Sequence, residues 1–393
     1  MSKEENIEFN GYIRSNGTVG VRNHLLVLPL VKCVNYITNK IISNLRMGVT
    51  LETAYGCCQI GTDAAQTFRT ILGFAVNPNV GACLVVGCNC ADIDGNDLVK
   101  SALAKGVRVS FLNIDDFNNE ELAILAGIEI CSQMLSDMMK IERRPVPVKY
   151  LQLGLECGGS DAWSGFSANP TTGECSDLLI SHGGTAILSE TQEMIGAEQL
   201  FATRAIDSHV RDTFIEIVKM REQESIDGGV DIASVNPSPG NKTGGLSTLE
   251  EKSLGCMQKG GRMAKLMEVV DYAQKPIKRG LIFMDTPGDD VESITGMVAG
   301  GCQLVVFTTG RGTCVGNPIA PVIKVASNTP MYNKMRNNID FNAGLINEGK
   351  ENIKQCGTSL FKKMVSVASG ELTKSELLEC CCNFSITRTG LTL

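Results

Sequence analysis

Histidine is scarce in this 393-residue chain, which contains only His24, His182 and His209. A metal site built on imidazole is therefore not expected, and thiolates and oxygen ligands would have to hold any metal present. Aromatic residues make up 5 % of the chain, with a single tryptophan, Trp163. No apolar run reaches the ~20 residues that a membrane span requires. The start, MSKEENIEFN, is polar and acidic, unlike a signal or transit peptide, so a cytoplasmic location is expected. Basic residues number 36 against 43 acidic ones, a net charge of −7. That balance argues against nucleic acid and against anionic membranes as partners, since both attract basic patches. Two signatures are also missing. No CxxC pair of zinc-finger type occurs, and no GxGxxG follows the first apolar strand, which weakens a nucleotide-binding oxidoreductase.

Cysteine, by contrast, is plentiful at 16 residues. A chain of this length buries enough surface to need no disulfide framework, so the cysteines are buried small hydrophobes, reactive thiols or metal ligands. Several of them stand where apolar runs stop. Residues 151–157, LQLGLEC, alternate like a strand and end in Cys157-Gly158-Gly159-Ser160-Asp161. Open α/β sheets place ligands at that end of a strand. The two glycines let backbone amides approach a ligand, while Cys157, Ser160 and Asp161 offer a soft ligand, a donor and a carboxylate.

The same grammar recurs along the chain. Residues 24–31 read as a strand buried on both faces, with Arg22 and Asn23 just before it, either a solvated pair or an anion contact. Residues 34–46 read as a helix and 48–54 as a strand that ends in Tyr55-Gly56-Cys57-Cys58. Asp63 is placed to cap a helix running to residue 74. A strand over 82–86 ends in Gly87-Cys88-Asn89-Cys90, a helix over 97–105 follows, and 107–113 is a further strand. Strands alternating with helices in this way build a parallel sheet. After an amphipathic helix over 120–140, Arg143-Arg144-Pro145-Val146-Pro147 has the composition of a linker. The expected architecture is α/β: two Rossmann-like parallel-sheet domains with covering helices, at 1–145 and 148–393.

In the second half a strand over 185–189 is followed by Glu190, and residues 197–230 read as charged, peripheral helix. Residues 236–246, NPSPGNKTGGL, are so dense in Pro, Gly and Asn that an irregular functional loop is expected. Strands over 280–284 and 303–307 end in Asp285-Thr286-Pro287-Gly288 and Thr308-Thr309-Gly310-Arg311-Gly312. The second of these turns combines hydroxyls, free amides and a guanidinium, an oxyanion-binding set. Lys324 lies inside an apolar strand over 322–325, either snorkelling at an edge or placed for chemistry.

Taken together, GYIRSNGTVGVRN, LECGGSDAWSGFSANP, GGTAILSET, NPSPGNKTGGLSTLEEKSLGC, FMDTPG and FTTGRGTCVGNPIAPVIKVASNTP resemble the altronate/galactarate dehydratase family, which includes the large subunit of sulfolactate sulfo-lyase. The resemblance runs from about residue 10 to residue 375. It implies an iron-dependent lyase that removes water, or sulfite, from a small hydroxylated acid through loss of the α-proton and an enol that relaxes to a 2-keto acid. A non-catalytic or iron–sulfur scaffold subunit is the alternative. Cys57, Cys157 and Cys256 match family cysteine positions and are the expected ligands of Fe²⁺ or of an iron–sulfur cluster. Cys58, Cys83 and Cys302 should be packing residues. For an anionic hydroxy acid, Arg22, Asn23, Ser160, Asn236, Arg311 and Asn317 are the expected binding residues. Asp161 is a candidate catalytic carboxylate. Lys242 is the favoured base, with His182 the other candidate, although a helix-capping role suits His182 better. Family members commonly carry histidine near Thr53, Ala54 and Tyr55, and Gly-Cys-Glu where this chain has Asn89-Cys90-Ala91; the doubled Cys57-Cys58 is closer to the sulfo-lyase side. Longer members carry an extra amino-terminal SAF module of ~100 residues, large enough to be a domain. A separate small SAF-type subunit is therefore an expected partner, and the assembly an expected homo-oligomer.

Overall fold

The computed structural model describes residues 7–381 and 383–390. Its strands form three sheets. In the smallest, β1 (Glu8–Ile13) lies between β2 (Val19–Gly20) and β7 (Arg144–Pro147), all antiparallel. Residues 143–147, expected as a linker, thus supply an edge strand. Proline is tolerated there because an edge strand need not donate every ladder hydrogen bond.

The second sheet is parallel, in the order β4 (Val49–Thr50), β3 (His24–Pro29), β5 (Val80–Gly87), β6 (Val109–Asn113). Helices Asn35–Leu45 and Glu120–Met138 close one face over Leu25, Val27, Leu84 and Val86. The expected strand over 48–54 contracts to the two residues of β4. Asp63 lies inside helix Gly61–Ala75 rather than capping it, and its carboxylate takes the amides of Thr389 and Gly390.

The third sheet has seven parallel strands: β10 (Leu266–Val270), β11 (Gly280–Met284), β9 (Thr185–Leu188), β8 (Gln152–Cys157), β12 (Leu304–Thr309), β13 (Val322–Ala326) and β14 (Phe341–Asn342). The chain leaves β8 towards β9 and later returns to its other side at β12, so strand order reverses at β8, where α/β sheets open a ligand crevice. Side chains alternate across this sheet. Leu153, Leu155, Leu188, Phe283 and Val306 face one core; Ile187, Ile282, Val305 and Phe307 face another. The second core also takes Leu26, Leu28, Cys83 and Val85 from the four-stranded sheet, so the two parallel sheets share apolar packing. Helices Gly61–Ala75 and Asp290–Ala299 meet there at Gly73, where an added Cβ would fall 2.3 Å from the Ala299 carbonyl oxygen. The protein is therefore mixed α/β, with large parallel sheets and covering helices.

Two expectations change in the region beside β9. The Pro- and Gly-rich stretch is not wholly irregular: Pro239–Thr243 is a short helix with a capping box between Ser238 and Asn241. Proline at the first helical position and serine before it are helix-starting residues, and they outweigh the glycines. Nor is 197–230 merely peripheral. Helix Ser208–Asp227 buries Phe214 and Val218 and sends Arg221 to Asp285 at the end of β11. No helix among the described residues is long and apolar enough to cross a membrane.

Candidate active site

At the carboxyl ends of β8, β9 and β11 the sheet presents Glu156, Cys157, Glu190, Asp285 and Thr286 in one buried layer. Helix Leu249–Cys256 and the turn Met257–Gly260 lie across it. Lys252, Cys256 and Lys259 are four and three residues apart, so one helical face delivers all three.

The Cys157 and Cys256 sulfurs stand 3.3 Å apart. Each also meets a carboxylate at 3.5 Å, Cys157 with Glu190 and Cys256 with Glu193. Glu190 takes the Cys157 N–H at 3.1 Å and forms an ion pair with Lys259, both side chains being almost wholly buried. Lys252 pairs with Glu193 at 2.7 Å and donates to Asn236 Oδ1 at 2.8 Å. Glu190 adopts φ +67°, a conformation that costs a non-glycine residue energy and persists only where its surroundings enforce it. Its own N–H donates to Thr286 Oγ1 at 2.8 Å, and its carboxylate is gripped by Lys259. The backbone is thus bent to aim a carboxylate at the thiols.

Charge in this layer is closely balanced. Burial, reinforced by Glu190, pushes the Glu156 carboxyl well above the usual range, and Ser293 donates to it at 2.6 Å. Hydrogen bonding to Cys157 and burial push Cys256 up as well. Burial opposes the charge on Lys259, but Cys157, Glu190 and Cys256 outweigh it and raise its pKa. Lys252 behaves likewise, with Glu193 the main opposing charge. Lys252 and Lys259 are thus held as ammonium groups against Glu193 and Glu190, with Glu156 neutral among them. Asp290 is different: only partly buried, it is pushed up to about 7 by burial, Glu190 and Asp289. Its carboxylate lies against Gly158, where an added Cβ would come within 2.4 Å of Oδ2. That close approach is why glycine stands in the turn. A cavity of about 220 Å³ opens beside Lys252 and Cys256, and Ser160, Asp161, Asn169 and Gln258 also line it.

Of the residues singled out from sequence, Cys157, Cys256, Ser160, Asp161 and Asn236 gather here. Asp161 is tightly held, accepting from Ser164 at 2.9 Å, Ser327 at 2.7 Å and Asn328 at 2.9 Å. Arg311 is exposed beside a neighbouring cavity that Asp161 also lines, and its guanidinium rests against Gly240. The others lie elsewhere. Arg22 spends every N–H on Glu376 and the carbonyls of Val21, Val367 and Glu371. Asn23 bridges Arg14 and the Met138 carbonyl. Asn317 caps its own turn at Ile319 and Ala320, leaving Nδ2 without a partner. His182 ends helix Asn169–Ser181, with Nδ1 2.8 Å from the Leu178 carbonyl, and stacks on Phe361. Lys242 is exposed on its short helix.

Cys57 does not meet the other two expected iron ligands. It stands at the end of the four-stranded sheet, 3.5 Å from Cys58, in a patch where Cys88 and Cys90 are 3.0 Å apart and Cys33 bonds Cys90. The hydrogen bond with Cys58 is the main cause that raises the Cys57 thiol to about 11. Cys58 is exposed rather than packed, whereas Cys83 and Cys302 are buried as expected. Among the described residues no group of three or more His, Cys, Asp or Glu side chains is arranged to hold a metal ion. Two thiols and two carboxylates suit a borderline ion chemically. As placed, those carboxylates pair with Lys259 and Lys252, which leaves the two sulfurs as the donors a metal would find here.

Glu190, Glu193, Lys252, Lys259 and Asp290 were not singled out from sequence. The Lys252, Cys256, Lys259 spacing was the available signal, as was Glu156 in an otherwise apolar strand.

Opposed lysines and carboxylates thus lie beside a cavity at the switch point of a parallel sheet, where α/β enzymes place their sites. The chain belongs to the D-galactarate/altronate dehydratase family, whose named relatives are lyases. The profile of the D-galactarate/altronate dehydratase carboxyl-terminal region matches residues 148–392, and that of the second domain of D-galactarate dehydratase/altronate hydrolase matches residues 11–139. Altronate dehydratase of Bacillus subtilis is 38 % identical over 386 residues, covering 95 % of this chain and 76 % of the relative. The beta subunit of (2R)-sulfolactate sulfo-lyase from Chromohalobacter salexigens is 33 % identical, covering 94 % of this chain and 95 % of the relative. Galactarate dehydratase (L-threo-forming) of Escherichia coli is 35 % identical, over 93 % and 74 %.

Proposed function

We propose that this chain is a lyase that eliminates water, or sulfite, from a small hydroxylated acid such as a sugar acid or sulfolactate. The observation that carries this reading is the convergence of Lys252, Lys259, Glu190, Glu193 and Asp290 at the ends of β8, β9 and β11, with Lys252 and Cys256 on the wall of a cavity of about 220 Å³. An α-proton beside a carboxylate leaves only if the enediolate is stabilised, so the reaction needs fixed cations and a base near neutrality. Lys252, on the cavity wall, supplies the cation at the substrate, and Lys259 fixes Glu190 behind it. Asp290, with its pKa near 7, is the base: its carboxylate takes the C2 proton, and the C2–H electrons form the enol as the C3 substituent departs. The departing hydroxide takes a proton and leaves as water, or sulfite leaves as the anion, and the enol becomes the 2-keto acid. Lys242, exposed and outside this cluster, is not retained as the base.

Iron stays within the proposal as a question of content, with Cys157 and Cys256 its sulfur ligands and no step routed through it. In anaerobically purified protein, Cys157→Ser should abolish bound iron while Cys83→Ser leaves it unchanged; equal iron in both variants removes Cys157 from any metal site. The two parallel sheets are taken as two Rossmann-like domains at 1–145 and 148–393. Incubation with altronate, galactarate and sulfolactate, assayed for keto acid and sulfite, tests the whole reading. Absence of both products from every substrate, with the chain folded and its partner subunit supplied, overturns it.

A further inference from the structure

At the opposite pole of the seven-stranded sheet, where its strands begin, lies a second cavity of about 590 Å³. Gln152 and Thr185, the first residues of β8 and β9, line it together with Gln303 just before β12. Its wall also carries six cations, Arg69, Lys105, Lys149, Lys275, Lys278 and Arg279, and no aspartate or glutamate. This is unexpected in a chain of net charge −7. Arg69 is partly buried and the other five line the cavity as exposed side chains, whereas the cations inside the fold are each paired: Arg22 with Glu376, Arg221 with Asp285, Lys252 with Glu193, Lys259 with Glu190. None of these six forms an ion pair among the described residues.

Their polar contacts are to neutral groups. Arg69 Nε donates to the Tyr272 carbonyl at 2.7 Å, Arg279 to the Lys149 carbonyl at 3.3 Å, and the Lys149 ammonium sits 5.6 Å from the Tyr150 ring centroid. Glu268 takes the Ile277 and Lys278 amides and so fixes the loop that bears three of the cations, but it does not line the cavity. Burial and the nearby charge of Lys105 both hold Lys275 below its ordinary basicity. Like charges gathered without counter-ions repel, and a multiply charged anion relieves that repulsion.

We infer that this cavity is a second ligand site, distinct from the lyase site, that binds an oligophosphate group across the two parallel-sheet regions. Arg69 and Lys105 reach it from the amino-terminal half, and Lys149, Lys275, Lys278 and Arg279 from the carboxyl-terminal half. The partly exposed Tyr150 ring and Pro276 give an apolar wall on which a nucleotide base can rest. The shared chemistry is the phosphate chain, carried by a nucleotide or by an inorganic oligophosphate.

Titration calorimetry of the full chain with inorganic tripolyphosphate, ATP and adenosine tests this. Tripolyphosphate and ATP are expected to bind one per chain, adenosine not at all, and the affinity should fall steeply with salt. ATP binding more tightly than tripolyphosphate points to a nucleotide; equal affinities point to the inorganic chain. The double variant Lys275→Glu, Arg279→Glu should weaken both at least ~10-fold. If that variant fails to fold, lysine acetylation of wild-type protein serves instead, with Lys149, Lys275 and Lys278 protected by tripolyphosphate. No binding at millimolar probe, unchanged affinity in the folded variant, unprotected lysines, or binding of an acidic peptide in place of oligophosphate overturns the inference.

Discussion

Asp290 and Lys259 show how differently two ionisable residues in one cluster respond to change. Because Asp290 ionises near pH 7, kcat/KM should rise with pH through about 7 and be lost on the acid side, where the base is protonated. Asp290→Asn should lower kcat on the order of 100-fold or more and abolish that acid limb. A pH–rate profile unchanged by the substitution removes Asp290 from the reaction. Stability runs the other way. A carboxyl raised from 3.8 to about 7 is neutral in the folded chain while already charged in the unfolded one, so stability falls from pH 4 to 7. Asp290→Asn should therefore flatten that fall and stabilise the chain at pH 8. Lys259→Met leaves Glu190 buried without its cation and should cost about 3–5 kcal/mol in urea unfolding. Disruption of the exposed Lys350–Glu348 pair should cost under ~1 kcal/mol. Similar losses for the two would mean that Glu190 is not held charged by Lys259.

Among the elements, the helix pair Gly61–Ala75 and Asp290–Ala299 is the most sensitive contact, because it joins the two parallel sheets without side-chain clearance at Gly73. Gly73→Ala should destabilise by ~1–3 kcal/mol through overpacking, although alanine is the better helix former. Its effect should extend to activity, since the second helix begins with Asp290. A variant as stable as the parent would show that the helices separate freely. Strands β3, β5, β6, β8, β9, β11, β12 and β13 were legible in sequence because each is a short, largely apolar run, whereas β10 and β14 were not read as strands. Residues 143–147 and Pro239–Thr243 were misjudged for a common reason. Proline marks edge strands and first helical turns as well as loops, and only the partner, β1 in one case and the Ser238 cap in the other, decides between them.

For the whole molecule, the sulfo-lyase relative is by its name a beta subunit, and a separate small subunit for this chain is the corresponding proposal. Purified chain assayed alone and then with a small SAF-type partner should gain at least ~10-fold in kcat/KM, because excluding water strengthens every ionic contact in the site. Full activity from the chain alone overturns the partner requirement.

By itself the sequence determined the α/β class, the family, and the strand ends that carry Cys157 and Asp285. The class and the strand ends follow from local patterns of apolar runs and turn residues, and the family from its long motif matches. Which charged residues meet was decided only by the tertiary structure. Lys252 and Lys259 read as ordinary surface residues of a polar helix until that helix is laid across β8 and β9, opposite Glu193 and Glu190. Arg22, which looks poised for an anion, is instead claimed by Glu376, 354 residues away in the chain. Cys57 shares its local motif with Cys157, yet lies on a different sheet. An ion pair is fixed by distance in space, and sequence spacing sets that distance only within a helix or strand.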